Sequence, residues 1–243
     1  MERVSTDIPG LDALIEGGFP KGTNILVTGV PGTGKTIFGL GYLYNGALKG
    51  ETGIYVTLDS RMELLREQGA QFGWDIAEME KQNKIFFLKV PVDKMRVDLF
   101  GMINDVKRSI NAKRLVFDSL ATLAINFDIF SVPSPTPREA NPYPVTSQRH
   151  SIYMIMEYLS VLGTTNLIIT YSGEGGRVSL DGVSEYASDG IVRLFNELIG
   201  IKRVRTLSIL KMRDTNHSQY IHDFEIDKNG ITVKPSGTIY GMR

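Results

Sequence analysis

No cysteine occurs among the 243 residues, which excludes disulfide frameworks, thiolate zinc sites and thiol nucleophiles together. Histidine is nearly as scarce, and His150, His217 and His222 are too few and too scattered for a dedicated transition-metal site. Neither sign of charge is in excess, since 27 lysines and arginines face 27 aspartates and glutamates. That balance argues against a dedicated polyanion binder, whose affinity comes mainly from surplus basic charge. No apolar run approaches the roughly 20 residues of a membrane span, and the opening MERVSTDIPG lacks the apolar stretch of a secretory signal. The expectation is a cytoplasmic globular protein with no membrane association. At 42% hydrophobic and 22% charged residues, the chain has the material for a sizeable core.

What is present is an alternation of short apolar runs with helical spacings. Residues Asn24–Thr28 (NILVT) read as a buried strand, after which Ile37, Leu40, Tyr44 and Leu48 recur at helical spacing until Gly50. Further strands are expected at 54–58, 85–89, 115–117 and 167–170, with helices over 61–72, 99–110 and 152–162. The last third carries β-rich runs at 191–195, 206–210 and 224–233, with Asn229-Gly230 as a hairpin signal. Strands alternating with helices predict an α/β fold: a mainly parallel twisted sheet flanked by helices, with an antiparallel C-terminal extension. No composition break divides the chain, so one domain over 1–243 is expected. Its rhythm is interrupted at 126–149, where five of the ten prolines fall and a long loop is predicted. A solvated insertion and a functional one fit that composition equally.

Residues 29–36 read GVPGTGKT, which satisfies G-x-x-x-x-G-K-[ST] between an expected strand and an expected helix. Such a loop lets consecutive N–H groups turn inward around phosphate oxygens at a helix N-terminus. The candidate ATP-binding set is Gly29, Pro31, Gly32, Thr33, Gly34, Lys35, Thr36 and Ile37, with Lys35 reaching the β and γ phosphates and the Thr36 hydroxyl ligating Mg²⁺. A second acidic ligand is needed, and the apolar strand 115–117 ends in Asp118. Aspartate also ends many strands as a turn residue; after a P-loop, the metal role is favoured.

Several spaced motifs extend this picture. Ser5-Thr6-Asp7-Ile8-Pro9-Gly10-Leu11-Asp12, then Gly17-Gly18-Phe19-Pro20-Lys21-Gly22, Phe72-Gly73-Trp74 and the C-terminal LKMRDTNH of 210–217 resemble single-domain KaiC-like ATPases of the RecA superfamily, RadA-paralogue-like chains of archaea and bacteria. The likeness spans nearly the whole chain outside the proline-rich segment. It implies a RecA-like P-loop core that assembles into a ring, usually a hexamer, with ATP at subunit interfaces. It also casts Lys211 and Arg213 as contacts to a neighbour's γ phosphate, with Thr215 and His217 beside the same nucleotide. A cation supplied in this way stabilises charge spread over the transferring phosphoryl group. Without the resemblance, Lys211 and Arg213 read equally as a solvated strand end, and His217 as a loop residue bonded to backbone.

One departure bears on catalysis. KaiC-like proteins carry paired glutamates after the second strand, whereas this chain reads Asp59-Ser60. Asp59 keeps a carboxylate but retracts it by one methylene, and a misplacement of about 1 Å can cost on the order of 100-fold in rate. Asp59 also fits a helix N-cap for 61–72. The expectation is a slow Mg-dependent ATPase, catalysed through Asp59, Lys35, Lys211 and Arg213. The alternative is a nucleotide-gated signalling or assembly module with little hydrolysis. No autokinase activity is expected, since the family's clock proteins phosphorylate a second domain. By the resemblance, 126–149 and 172–183 face the ring channel and would take single-stranded DNA or a protein partner. Their few arginines, Arg138, Arg149 and Arg177, are offset by acids.

Overall fold

The structure, a computed structural model, describes residues 1–58, 60–90, 95–125 and 144–237. Its centre is a nine-stranded sheet of order β11-β10-β9-β8-β3-β7-β6-β4-β5. The parallel part comprises β3 (Asn24–Thr28), β4 (Gly53–Thr57), β5 (Ile85–Lys89), β6 (Arg114–Asp118), β7 (Thr165–Ile169) and β8 (Gly190–Ile199). Beyond β8 the pairing turns antiparallel through β9 (Lys202–Met212), β10 (His222–Asp227) and β11 (Gly230–Gly237). This is the expected architecture. β10 and β11 turn back at the Asn229-Gly230 signal, where Asp227 pairs with Gly230 at φ +105°.

Both faces of the parallel part are covered. On β3, Ile25 and Val27 join one core with Phe38 and Leu43 of α1 (Lys35–Leu48), whereas Leu26 joins the other. The second core takes Ile103 from α4 (Met95–Ile110) and Ile155 and Leu159 from α6 (Pro144–Val161). Alternation within uniformly apolar strands is thus the period-2 pleat between two helical layers. α2 (Met62–Gln71) and α5 (Leu120–Ile125) complete the longer connections.

Some elements escape the sequence pattern. β1 (Arg3–Val4) and β2 (Phe19–Pro20) form a two-residue antiparallel pair, too short to show alternation. α3 (Ile76–Lys81) is six residues long and starts at Asp75, whose side chain accepts from Glu78 N. A four-residue helix, α7 (Ser184–Ala187), precedes β8. The loop expected through Arg149 stops earlier, because α6 begins at Pro144. A proline at the first helical position loses only an N–H that has no helical partner there. Residues 126–143, most of the proline-rich segment, lie outside the described residues. No helix among the described residues is long and apolar enough to cross a membrane.

Candidate nucleotide cleft and a basic strand end

The loop between β3 and α1 wraps the mouth of a cleft of about 450 Å³. Six of the eight candidate loop residues, Pro31, Gly32, Gly34, Lys35, Thr36 and Ile37, line it. The other two face inward. Gly29 packs so closely that a Cβ would sit 2.5 Å from the Leu194 carbonyl oxygen, and the buried Thr33 hydroxyl donates to Val30 O at 2.9 Å. Gly34 precedes α1 at φ +102°, a left-handed conformation that opens the first helical turn to a ligand.

Lys35 is 6% exposed. Its ammonium donates to Gly29 O at 2.7 Å and Val30 O at 2.9 Å, and lies 4.4 Å from the centroid of the Tyr171 ring. Burial pushes this lysine from its ordinary 10.5 down to about 8, against the opposing pull of the Asp118 carboxylate. Thr36 donates to Asp118 Oδ2 at 3.2 Å, and Tyr55 donates to the same oxygen at 2.5 Å. The two metal-ligand candidates therefore meet across α1 and β6.

The donor set fits a magnesium–triphosphate ligand. A hydroxyl and a carboxylate side by side are hard oxygen donors, and Lys35 is a desolvated cation. At the far wall, Arg205 of β9 lines the cleft with a buried Nε that has no hydrogen-bond partner. An unpaired buried donor of this kind matches an anionic or polar guest. Tyr55, Gln68, Tyr171 and Arg205 belong to this neighbourhood and were not foreseen. Only Arg205 had a signal, the basic stretch of 202–205.

Lys211 and Arg213 do not join Lys35. Ile25 at the start of β3 pairs with Gly190, and Gly190 pairs with Met212, so this strand end stands at the sheet edge opposite the P-loop. Lys211 donates to Ser188 O at 2.6 Å, and Arg213 pairs with Asp189 at 3.1 Å while remaining 59% exposed. Burial, followed by the nearby Arg213, lowers the Lys211 pKa. Thr215 donates to Arg213 O at 3.0 Å, and His217 Nδ1 lies 3.0 Å from Ser218 O. A second cleft of about 370 Å³ opens beside Arg213, Asp189 and Tyr186.

Asp59, the expected water-orienting carboxylate, lies outside the described residues; next to it, Ser60 N donates to Thr57 Oγ1 at 3.0 Å. In the 172–183 loop, Asp181 is spent on a local turn, accepting from Val183 N and Ser184 N. Among the described residues no group of three or more histidines and acids stands ready to hold a metal.

Comparison with known proteins gives the family. A family model described as "ATPase: KaiC" matches residues 4–129 and 140–238, leaving a gap inside the proline-rich segment. The chain belongs to this KaiC ATPase family of nucleotide-binding ATPases. It is 35% identical to a UPF0273 protein of Aeropyrum pernix, over 98% of this chain and 96% of that one. It is 33% identical to the circadian clock oscillator protein KaiC of Prochlorococcus marinus, over 98% of this chain but only 47% of that protein, so the chain spans about half of that relative. Among solved structures, a KaiC-like protein from the hyperthermophilic archaeon Pyrococcus horikoshii superposes with a TM-score of 0.80 at 37% identity, covering 96% of this chain and 99% of that one. The RecA-like α/β fold expected from the sequence is thereby shown.

Proposed function

We propose that the protein is a slow, magnesium-dependent ATPase that works at the subunit interfaces of a homo-oligomeric ring, each P-loop being served by Lys211 and Arg213 of the next copy. One observation carries the reading: Lys35, Thr36 and Asp118 converge in one cleft, while the basic strand end stands at the opposite sheet edge. A heterologous contact of the two edges, repeated with a rotation that closes, makes a ring. Thr36 and Asp118 would hold magnesium, which neutralises charge on the triphosphate. The chain's own groups do the rest. Lys35 leaves the Gly29 and Val30 carbonyls for phosphate oxygens, Tyr171 and the loop exclude water from that lysine, and Tyr55 keeps Asp118 oriented. Asp59 orients the attacking water, which forms its bond to the γ phosphorus as the β–γ bridge breaks to give ADP and phosphate. Turnover is slow because that carboxylate is one methylene short. The ATP state is coupled to a partner, a protein or single-stranded DNA, through residues 126–149 and 172–183.

The test is phosphate release from Mg-ATP by the parent, Lys35→Ala and Arg213→Ala. Turnover lost in both variants, with ATP still bound by Arg213→Ala, supports the reading. ATP binding without turnover in the parent would instead favour a nucleotide-gated signalling or assembly module, the role that Asp59-Ser60 fits second best.

A further inference from the structure

The motif ahead of β3 folds as a closed collar. The Asp12 carboxylate accepts from Ser5 Oγ at 2.7 Å, from Thr6 N at 2.9 Å, from Thr6 Oγ1 at 2.6 Å and from Asp7 N at 3.2 Å. Arg3 projects from this collar with only 16% of its side chain exposed. One guanidinium nitrogen donates to Ile15 O at 3.3 Å, Gly18 O at 3.1 Å and Thr215 Oγ1 at 3.0 Å. The other donates to Glu16 Oε2 at 2.6 Å and to Asp214 O at 3.2 Å. A second tie joins the same two segments, Ser218 N donating to Leu14 O at 2.9 Å. At the first tie Asp214 adopts φ +51°, a conformation that a non-glycine residue seldom takes.

We infer that Arg3 is a positioning residue for the basic strand end: two of its five bonds hold the turn after β9 while the other three anchor it to residues 15–18, and this sets the direction in which Lys211 and Arg213 reach a second copy's triphosphate. The inference rests on the proposed ring reading. Arg213 is exposed, and among the described residues its guanidinium pairs with Asp189, so its aim depends on the backbone at its root. That backbone runs directly into Asp214 and Thr215, the two residues of this turn that Arg3 bonds. A planar guanidinium can serve acceptors on both segments at once, which a lysine ammonium cannot reproduce. Errors of about 1 Å in such a group can cost on the order of 100-fold.

Arg3→Ala leaves its own P-loop intact and disturbs only what it offers a neighbour. Its kcat should fall by at least about tenfold while KM for ATP changes less than about threefold. The decisive measurement mixes Arg3→Ala with Lys35→Ala, each nearly inactive alone. A Lys35→Ala neighbour presents an intact strand end to the working P-loop of Arg3→Ala, so an equal mixture should recover about one quarter of parental turnover, the chance that neighbours pair productively in a ring. Arg213→Ala mixed with Lys35→Ala is the control. If the control recovers and the Arg3→Ala mixture does not, or if Arg3→Ala alone matches the parent, the role of Arg3 is overturned. If the control itself fails to recover, the ring reading fails first. Should Arg3→Ala not fold, as judged by thermal unfolding, Arg3→Lys takes its place, with a smaller kcat loss and the same recovery on mixing expected.

Discussion

Tyr55 donates its phenolic proton to Asp118 Oδ2 at 2.5 Å, and that same oxygen accepts from Thr36 at 3.2 Å. A tyrosine buried in β4 thereby fixes the carboxylate at the end of β6, one strand away. Partners that orient a ligating carboxylate typically tune metal affinity by 10- to 100-fold. Tyr55→Phe should therefore raise the magnesium concentration for half-maximal turnover by about tenfold. A magnesium titration of phosphate release measures this; an unchanged midpoint would separate Tyr55 from the metal site.

Lys35 sets a pH dependence. Its value in the nucleotide-free protein is depressed to about 8. Between that value and the ordinary 10.5, the unfolded chain binds more protons than the folded one. The contribution of Lys35 to stability is thus complete above 10.5 and lost as the pH falls through about 8. Nucleotide affinity runs the opposite way, because a triphosphate prefers the charged lysine. The Kd for Mg-ATP should rise several-fold from about pH 7.5 to 9.5 in the parent and stay level in Lys35→Ala. Binding measured by fluorescent-nucleotide displacement at a series of pH values decides this.

Arg114 is a structural test. Its guanidinium is 1% exposed and meets Glu51 at 2.5 Å, Tyr42 O at 2.8 Å and Ser5 O at 2.9 Å, tying β6 to α1 and the N-terminal collar. Glu51 is 38% exposed and is rehydrated when Arg114 is removed, so the loss comes mainly from the Tyr42 and Ser5 carbonyls left without this donor, about 1–3 kcal/mol. Arg114→Ala should lose about that much in a denaturant titration, and Arg114→Lys should recover little of it, since an ammonium lacks the fork.

Asp59→Glu restores the missing methylene. Faster phosphate release with unchanged ATP affinity is expected, by on the order of tenfold or more. A variant that binds ATP normally yet turns over no faster than the parent would falsify the positional cause of slow turnover.

Deletion of residues 131–148 probes the partner. Salt-sensitive binding of single-stranded DNA that disappears with the deletion selects nucleic acid. Salt-insensitive or absent DNA binding in the intact chain selects a protein instead.

The P-loop was legible because spacing alone encodes it: Lys35, Thr36 and Asp118 sit where the pattern and the strand–helix alternation put them. Short apolar runs between helical spacings located the parallel strands in the same way. What local sequence does not encode is contact between distant segments. Tyr55 reads as one more apolar strand residue until β4 is laid beside β6, and Arg205 as a surface cation until β9 borders the cleft. Arg3 is silent in sequence because its partners lie at 15–18 and 214–215. The division of the expected site into two opposite edges follows from the register of β3, β8 and β9, which no motif records.

β9 runs without interruption from Arg205, at the wall of the chain's own cleft, to Met212, next to the exposed Arg213. Eight residues of extended backbone separate the two arginines by about 26 Å. β9 pairs with β8 along this length apart from one register shift, at Leu210 between the partners of Val192 and Ile191, so the ribbon bends just before Lys211. In the proposed ring, a tilt of the β8–β9 hairpin at the Arg205 end would swing the Arg213 end, linking the occupancy of one cleft to the aim of the cation offered to the next.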